Sequence, residues 1–174
     1  MKQPVLKSER LLLRKFELRD ANHVQKLAGK FNVAKTTLNI PHPYIDGMAE
    51  EWIQSHKLHW ESSSQVIYAI TKLDTKQLVG TVSLVGISGD RAELGFWIGE
   101  SYWGNGYCTE AAKALTTFSF TQLNLKTVFA EHLASNPASG KVMKKIGMNR
   151  KISKKLNDRF GNLVDVEVYE LQNT

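Results

Sequence analysis

The spacing of apolar positions along the chain changes several times, and each change marks an element. Residues 9–16 hold three consecutive leucines and Phe16 and read as a strand, although the leucine run blurs the alternation. Asp20 stands where an N-cap belongs, before a helix carrying Val24, Leu27 and Ala28 and ending near Gly29. In Thr36–Ile45, Pro41 and Pro43 flank His42 and predict an irregular loop. Asp46 is placed to cap a second helix, with Met48, Trp52 and Ile53 near helical spacing. Runs over 65–72, 78–87 and 91–99 are strand-like and separated by short polar turns, which implies antiparallel pairing.

Helical spacing returns over 106–122, where Ala111, Leu115 and Phe118 share one face. Residues 126–133 read as a strand again. A strand, a helix and a strand in succession favour a parallel crossover. The next helix has well-marked ends, with Asn136 as N-cap, Pro137 at the first helical position and Gly147 just past the last. Strands over 148–155 and 163–171 close the chain. The prediction is an α+β fold with one mixed, mostly antiparallel sheet of six or seven strands and four helices. It forms a single domain over residues 8–171 with short flexible termini.

Composition narrows the class. A chain of 174 residues that is 42% apolar and 23% charged has the makings of one globular core, not of a disordered or fibrous protein. Its formal charge of +6 points to an anionic partner without choosing among cofactor, peptide, nucleic acid or membrane surface. The charge is local: residues 141–160 carry eight cations and one acid, so the remainder is close to neutral. The single cysteine, Cys108, excludes an intramolecular disulfide and a multi-cysteine zinc site, and the cytoplasm is the simplest location. No apolar run reaches the roughly 18 residues of a membrane span, and none near the start suits a signal peptide. His56 and His59 lie three residues apart but have no acidic or cysteine partner at matching spacing, so no metal is expected.

The segment from Glu93 to Ala111 carries the chemistry. A strand runs into a turn with Gly104 and Gly106, and a helix starts directly afterwards. Glycines let the backbone turn with positive φ, and the helix start offers free N–H groups and a positive dipole end. That combination cradles an anion, most naturally a phosphate. Thr109 replaces the third glycine of a dinucleotide fingerprint, and no Gly-Lys-Ser/Thr follows. On spacing alone, a plain strand-to-helix turn explains the segment equally well.

Tyr102-Trp103-Gly104-Asn105-Gly106-Tyr107-Cys108-Thr109-Glu110-Ala111 resembles the pyrophosphate motif of GNAT acetyltransferases, in particular the RimJ/RimL branch that acetylates ribosomal-protein N-termini. Further segments match in order: Ser8–Arg14, Pro43-Tyr44 with Trp52-Ile53, Glu93–Ile98, and Asn136…Ser139 with Gly147. The resemblance implies acetyl-CoA lying in a split between the fourth and fifth predicted strands. It implies pantetheine contacts from the backbone of Trp97, Ile98 and Gly99. It assigns the pyrophosphate to the N–H groups of Gly104, Asn105, Gly106, Tyr107, Cys108 and Thr109, and the pantetheine or thioester end to Asn136. Ser101 departs from the glutamine or arginine common at its position. Met143 stands where many members place a tyrosine acid, which leaves Ser139 as the implied proton donor. Glu93 is the leading general base, with a structural ion pair as the competing role. A covalent route through Cys108 lacks a nearby histidine partner in sequence. Asn39, His42 and Tyr44 on the proline-bearing loop are the candidates for acceptor recognition.

The implied activity is direct acetyl transfer from acetyl-CoA to a primary amine, with a protein N-terminus, plausibly ribosomal, as acceptor. A small-molecule amine is the second choice, and an acyl-CoA sensor without turnover is the non-enzymatic one. A nucleic-acid-binding role lacks any recognition motif, and no membrane partner is expected. A homodimer is compatible with everything above.

Overall fold

The computed structural model describes residues 3–173; Met1, Lys2 and Thr174, within the expected flexible termini, lie outside the described residues. The strands are β1 (Leu6–Lys7), β2 (Leu11–Arg14), β3 (Val66–Lys72), β4 (Leu78–Ser88), β5 (Arg91–Ile98), β6 (Thr127–Leu133), β7 (Asn149–Asn157) and β8 (Leu163–Gln172). The helices are α1 (Ala21–Ala28), α2 (Phe31–Ala34), α3 (Met48–Glu61), α4 (Tyr107–Thr121) and α5 (Pro137–Lys145). One eight-stranded sheet runs β1-β2-β3-β4-β5-β6-β8-β7. Every neighbouring pair is antiparallel except β5 and β6, which are parallel. The α+β architecture, the mostly antiparallel sheet and the parallel crossover through α4 all match the sequence prediction. Two short elements add to it: β1, and the single turn α2.

Both faces of the central sheet are covered, and β3 shows why its residues read as a continuous apolar run. Tyr68 and Ile70 join Leu11, Leu13, Leu84 and Leu115 in one core, under α4. Ile67 and Ala69 join Phe16, Val24 and Ile53 in a second core, under α1 and α3. Each fully buried leucine side chain contributes roughly 1.5–3 kcal/mol through burial. The centre of the sheet is therefore a rigid platform for the strand ends that form the site.

The helix starts differ from the predicted caps in an informative way. Asp20 precedes α1 but makes no side-chain cap. Its carboxylate instead accepts two hydrogen bonds from Arg14, at 2.7 and 2.8 Å, and one from the Glu17 N–H at 2.9 Å. Burial raises the Asp20 pKa, but these bonds outweigh it and hold the group below the usual carboxylate range. Gly47, at φ +89°, rather than Asp46 is the residue before α3. Asp46 accepts from the Gln25 side chain, which ties the loop to α1.

Four of the eight cations of residues 141–160 are paired with carboxylates. Arg150 bridges Glu167, Lys151 Glu170, Lys154 Glu131 and Lys155 Asp165. These β7 cations therefore face carboxylates of their own sheet. No helix among the described residues is long and apolar enough to cross a membrane.

Candidate active site

The site begins where two parallel strands separate. The last registered pair between β5 and β6 is Glu93 with Phe129. Beyond it β5 continues alone alongside β4. The Gly99 N–H bonds to the Val79 carbonyl. Antiparallel ladders alternate, so Gly99 and Trp97 turn their backbone groups toward β4. Phe96 and Ile98 turn theirs into the split. The Ile98 carbonyl already accepts the Trp103 indole N–H at 2.7 Å. The free strand edge is therefore offered by Phe96 and the Ile98 N–H, a sharper assignment than the run Trp97–Gly99.

The turn after β5 forms a cradle. Gly104 and Gly106 have φ +78° and +77°, a region that favours glycine. α4 has no side-chain cap, and its first helical bond runs from the Glu110 N–H to the Gly106 carbonyl. The N–H groups of Tyr107, Cys108 and Thr109 thus precede the helical ladder and remain available to an anion. A cavity of about 390 Å³ is lined here by Ile98, Gly104, Gly106, Tyr107, Cys108 and Thr109. Across it stand Asn136, Lys141 and Lys145 of the α5 region. Gly99 and Asn105 do not line it. The lysines supply charge for phosphates, so the donor set fits a pyrophosphate-bearing ligand.

Burial pushes the Cys108 thiol up to about 12. That shift favours the protonated thiol despite its place at a helix start and argues against a nucleophilic role.

A second cavity, of about 330 Å³, opens on the other side of the split, with Glu93, Glu131, Asn39, Tyr44 and Trp52 among its walls. Burial pushes the Glu93 carboxyl above its usual range, and the neighbouring Glu131 charge adds to this while Lys154 opposes it. Lys154 lies 2.6 Å from Glu131. Glu131 follows Phe129 by two residues on β6, so strand alternation puts it on the same face as Glu93. In the sequence Lys154 stands out only among the cations of 141–160, and Glu131 not at all; the parallel register of β5 and β6 that sets Glu131 near Glu93 is a tertiary feature. His42 is not part of this cavity: its ring packs against Phe31, with centroids 5.3 Å apart. His56 packs against Phe16 and Trp52, and burial lowers its pKa to about 4.

The two cavities meet at Thr36, Thr37, Phe96, Trp97 and Ser139. Asn136 organises that junction. Its amide does not cap α5. It donates to the Thr36 carbonyl at 3.1 Å and to the Ser139 hydroxyl oxygen at 2.9 Å. Ser139 thus accepts from Asn136 and keeps its own O–H free to donate. Met143 is buried in the core below.

Comparisons with known proteins show the family and the fold. The acetyltransferase (GNAT) domain family matches residues 10–149. The uncharacterized N-acetyltransferase p20 of Bacillus licheniformis is 30% identical over 171 residues, covering 95% of this chain and 94% of its own. The ribosomal-protein α-N-acetyltransferase RimL, solved with coenzyme A, shares the fold with a TM-score of 0.84 at 20% identity, covering 97% of this chain and 98% of its own. Spermidine N-acetyltransferase from Vibrio cholerae, solved with CoA and spermine, does so with a TM-score of 0.79 at 21% identity, covering 93% and 95%. With the family model matched over most of its length and a 30% identical relative covered almost end to end, the chain belongs to the GNAT family of acetyl-CoA-dependent N-acetyltransferases.

Proposed function

We propose that the acceptor is the α-amine of a peptide chain, as in the RimJ/RimL branch, with a ribosomal protein as the foremost candidate. The observation that carries this reading is the meeting of the two cavities at Ser139, with Glu93 on the acceptor side. Acetyl-CoA supplies the activated acetyl group. The chain's own residues do the rest. Glu93 takes the proton from the acceptor ammonium, directly or through water. An α-amine, near pKa 8, needs less help than a lysine-like amine near 10. One carboxylate of raised pKa suits it. The N–H groups of Phe96 and Ile98 stabilise charge developing on the carbonyl oxygen and hold the pantetheine arm. The amides of residues 104–109 hold the pyrophosphate, with Lys141 and Lys145 facing its charge. Ser139, oriented by Asn136, donates to the departing thiolate. Asn39 and Tyr44 line the acceptor side. A reducing compartment such as the cytoplasm suits the free thiol of Cys108.

The charge balance separates this reading from a polyamine acceptor. Glu131 is already neutralised by Lys154, so the cavity offers a polycation one unpaired carboxylate. The size of the cavity also admits a compact small-molecule amine, which is the second reading.

The test compares kcat/KM for three acceptors: a short peptide with a free N-terminus, the same peptide N-blocked with an internal lysine, and spermidine. The free N-terminus is expected to exceed both others by about tenfold or more, given the difference in amine pKa. A preference for spermidine, or for the lysine peptide, contradicts the reading.

A further inference from the structure

The β1–β2 turn stands outside both cavities, yet its side chains reach 100 residues along the chain to the cradle. Ser8 Oγ donates to Glu110 Oε1 at 2.8 Å, and the Arg10 backbone N–H donates to the same oxygen at 2.7 Å. The Arg10 guanidinium donates through Nε to Glu110 Oε2 at 2.8 Å, and Nη2 lies 2.7 Å from that oxygen. Its Nη1 donates to the Asn105 carbonyl at 3.0 Å. The guanidinium also covers the Tyr107 ring, 5.0 Å from its centroid. Nη2 sits 3.5 Å from where a Cβ on Gly106 would stand, directly behind the turn.

We propose that Arg10, braced by Glu110 and Ser8, is a positioning residue that sets the orientation of the phosphate-binding turn and so the affinity for the diphosphate part of acetyl-CoA. The inference rests on the acetyl-CoA reading of the cradle. Peptide geometry explains how. The Asn105 carbonyl and the Gly106 N–H belong to one planar trans peptide and point in opposite directions. Arg10 holds the carbonyl outward, on its own side. The Gly106 N–H is thereby aimed away from Arg10, toward the cradle. Without that bond a turn with two positive-φ glycines can rotate the peptide, placing a carbonyl oxygen where a phosphate must sit.

Glu110 needs the same brace. It lies in the first turn of α4, where a bare carboxylate would compete with the phosphates for the helix end. Burial raises its pKa, but the Arg10 N–H, the Ser8 hydroxyl and the Arg10 guanidinium outweigh this and keep it low. The carboxylate is thus ionised, but its charge is matched by the guanidinium and directed toward the β1–β2 turn. Arg10 is itself half-exposed, so its contribution lies in geometry more than in buried charge.

The experiment uses Arg10→Gln and Arg10→Lys in the full chain, with two donors, acetyl-CoA and acetyl-pantetheine, which lacks the phosphates. The ratio of kcat/KM for the two donors is insensitive to the fraction of folded enzyme. That ratio is expected to fall about tenfold in Arg10→Gln, the loss typical of one charge-assisted hydrogen bond. The Kd for coenzyme A, measured by calorimetry without turnover, is expected to rise by a similar factor. Arg10→Lys keeps the charge but not the fork, and its ratio is expected to stay low. An unchanged ratio in Arg10→Gln, or equal loss with both donors, overturns the proposal. Full recovery in Arg10→Lys also overturns it, because charge alone would then suffice. If the wild-type protein neither binds coenzyme A nor uses either donor, the acetyl-CoA reading itself fails.

Discussion

Replacing Glu93 by Gln is expected to lower kcat/KM at neutral pH by about a hundredfold or more, the usual loss for a general base. The shape of the pH profile is expected to change with it. Glu93 acts as a base only when ionised, and its carboxyl is raised by burial and by Glu131. Wild-type kcat/KM therefore rises as pH passes upward through that raised value. It then levels off where the acceptor ammonium loses its proton in solution, near 8 for an α-amine, because neutral amine needs no base to attack. In Glu93→Gln the acidic limb has no titrating group. Only amine that is already neutral can react, so the profile rises toward alkaline pH. Initial rates across pH, with stability checked at each point, measure this. A variant whose profile keeps the wild-type acidic limb removes Glu93 as the base and leaves it a strand residue beside the Glu131–Lys154 pair.

Gly80→Ala is expected to be the most damaging small substitution in the sheet. Gly80 pairs with Ile98. A Cβ there would stand 2.2 Å from the Trp97 carbonyl oxygen, 2.9 Å from Ile98 Cδ1 and 3.0 Å from Ile98 Cα. Two of these three atoms are backbone, so β4 and β5 must part at the point where β5 offers its free edge. Overpacking of this kind costs about 3 kcal/mol. For a domain of this size that lowers Tm by roughly 6–12 °C. The KM for acetyl-CoA is expected to rise as well, because Phe96 and Ile98 move. Gly86→Ala is the control. Gly86 has φ +58° and no atom within 4 Å of an added Cβ, so it carries only the cost of a left-handed conformation, about 1–2 kcal/mol. Thermal unfolding with and without coenzyme A distinguishes the two. Equal Tm values for Gly80→Ala and wild type would mean that the strands are not held this closely.

These effects concentrate at the split, the part of the protein least visible in its sequence. Strands such as β3 and helices such as α4 announce themselves through periodicity, because tertiary packing there agrees with local pattern. β1 is two residues long and α2 one turn, too short for any period to register. Asp20 and Asn136 occupy cap positions, but Arg14 in one case and the Thr36 carbonyl and Ser139 in the other capture their side chains. Arg14 lies 6 residues away and Thr36 100, and although Ser139 is only 3 along, no local rule ranks these partners above a cap. The glycine turn was legible as an anion cradle, and its family resemblance separated it from a plain turn. Glu131 and Lys154 were not legible, since their relation to Glu93 depends on where β6, β8 and β7 fall in the sheet. His42, picked out by its flanking prolines, turned instead toward Phe31.

Direct transfer at the junction of the two cavities is the centre of this account, and one experiment addresses it. The purified protein is mixed with acetyl-CoA, first alone and then with a peptide carrying a free N-terminus. Intact-mass spectrometry of protein and peptide is combined with assay of free thiol. The predicted result is an unmodified protein before the peptide is added, then thiol release in step with acetylated peptide. An acetylated protein that passes its acetyl group on, or coenzyme A binding with no thiol release across primary amines of every class, would contradict it.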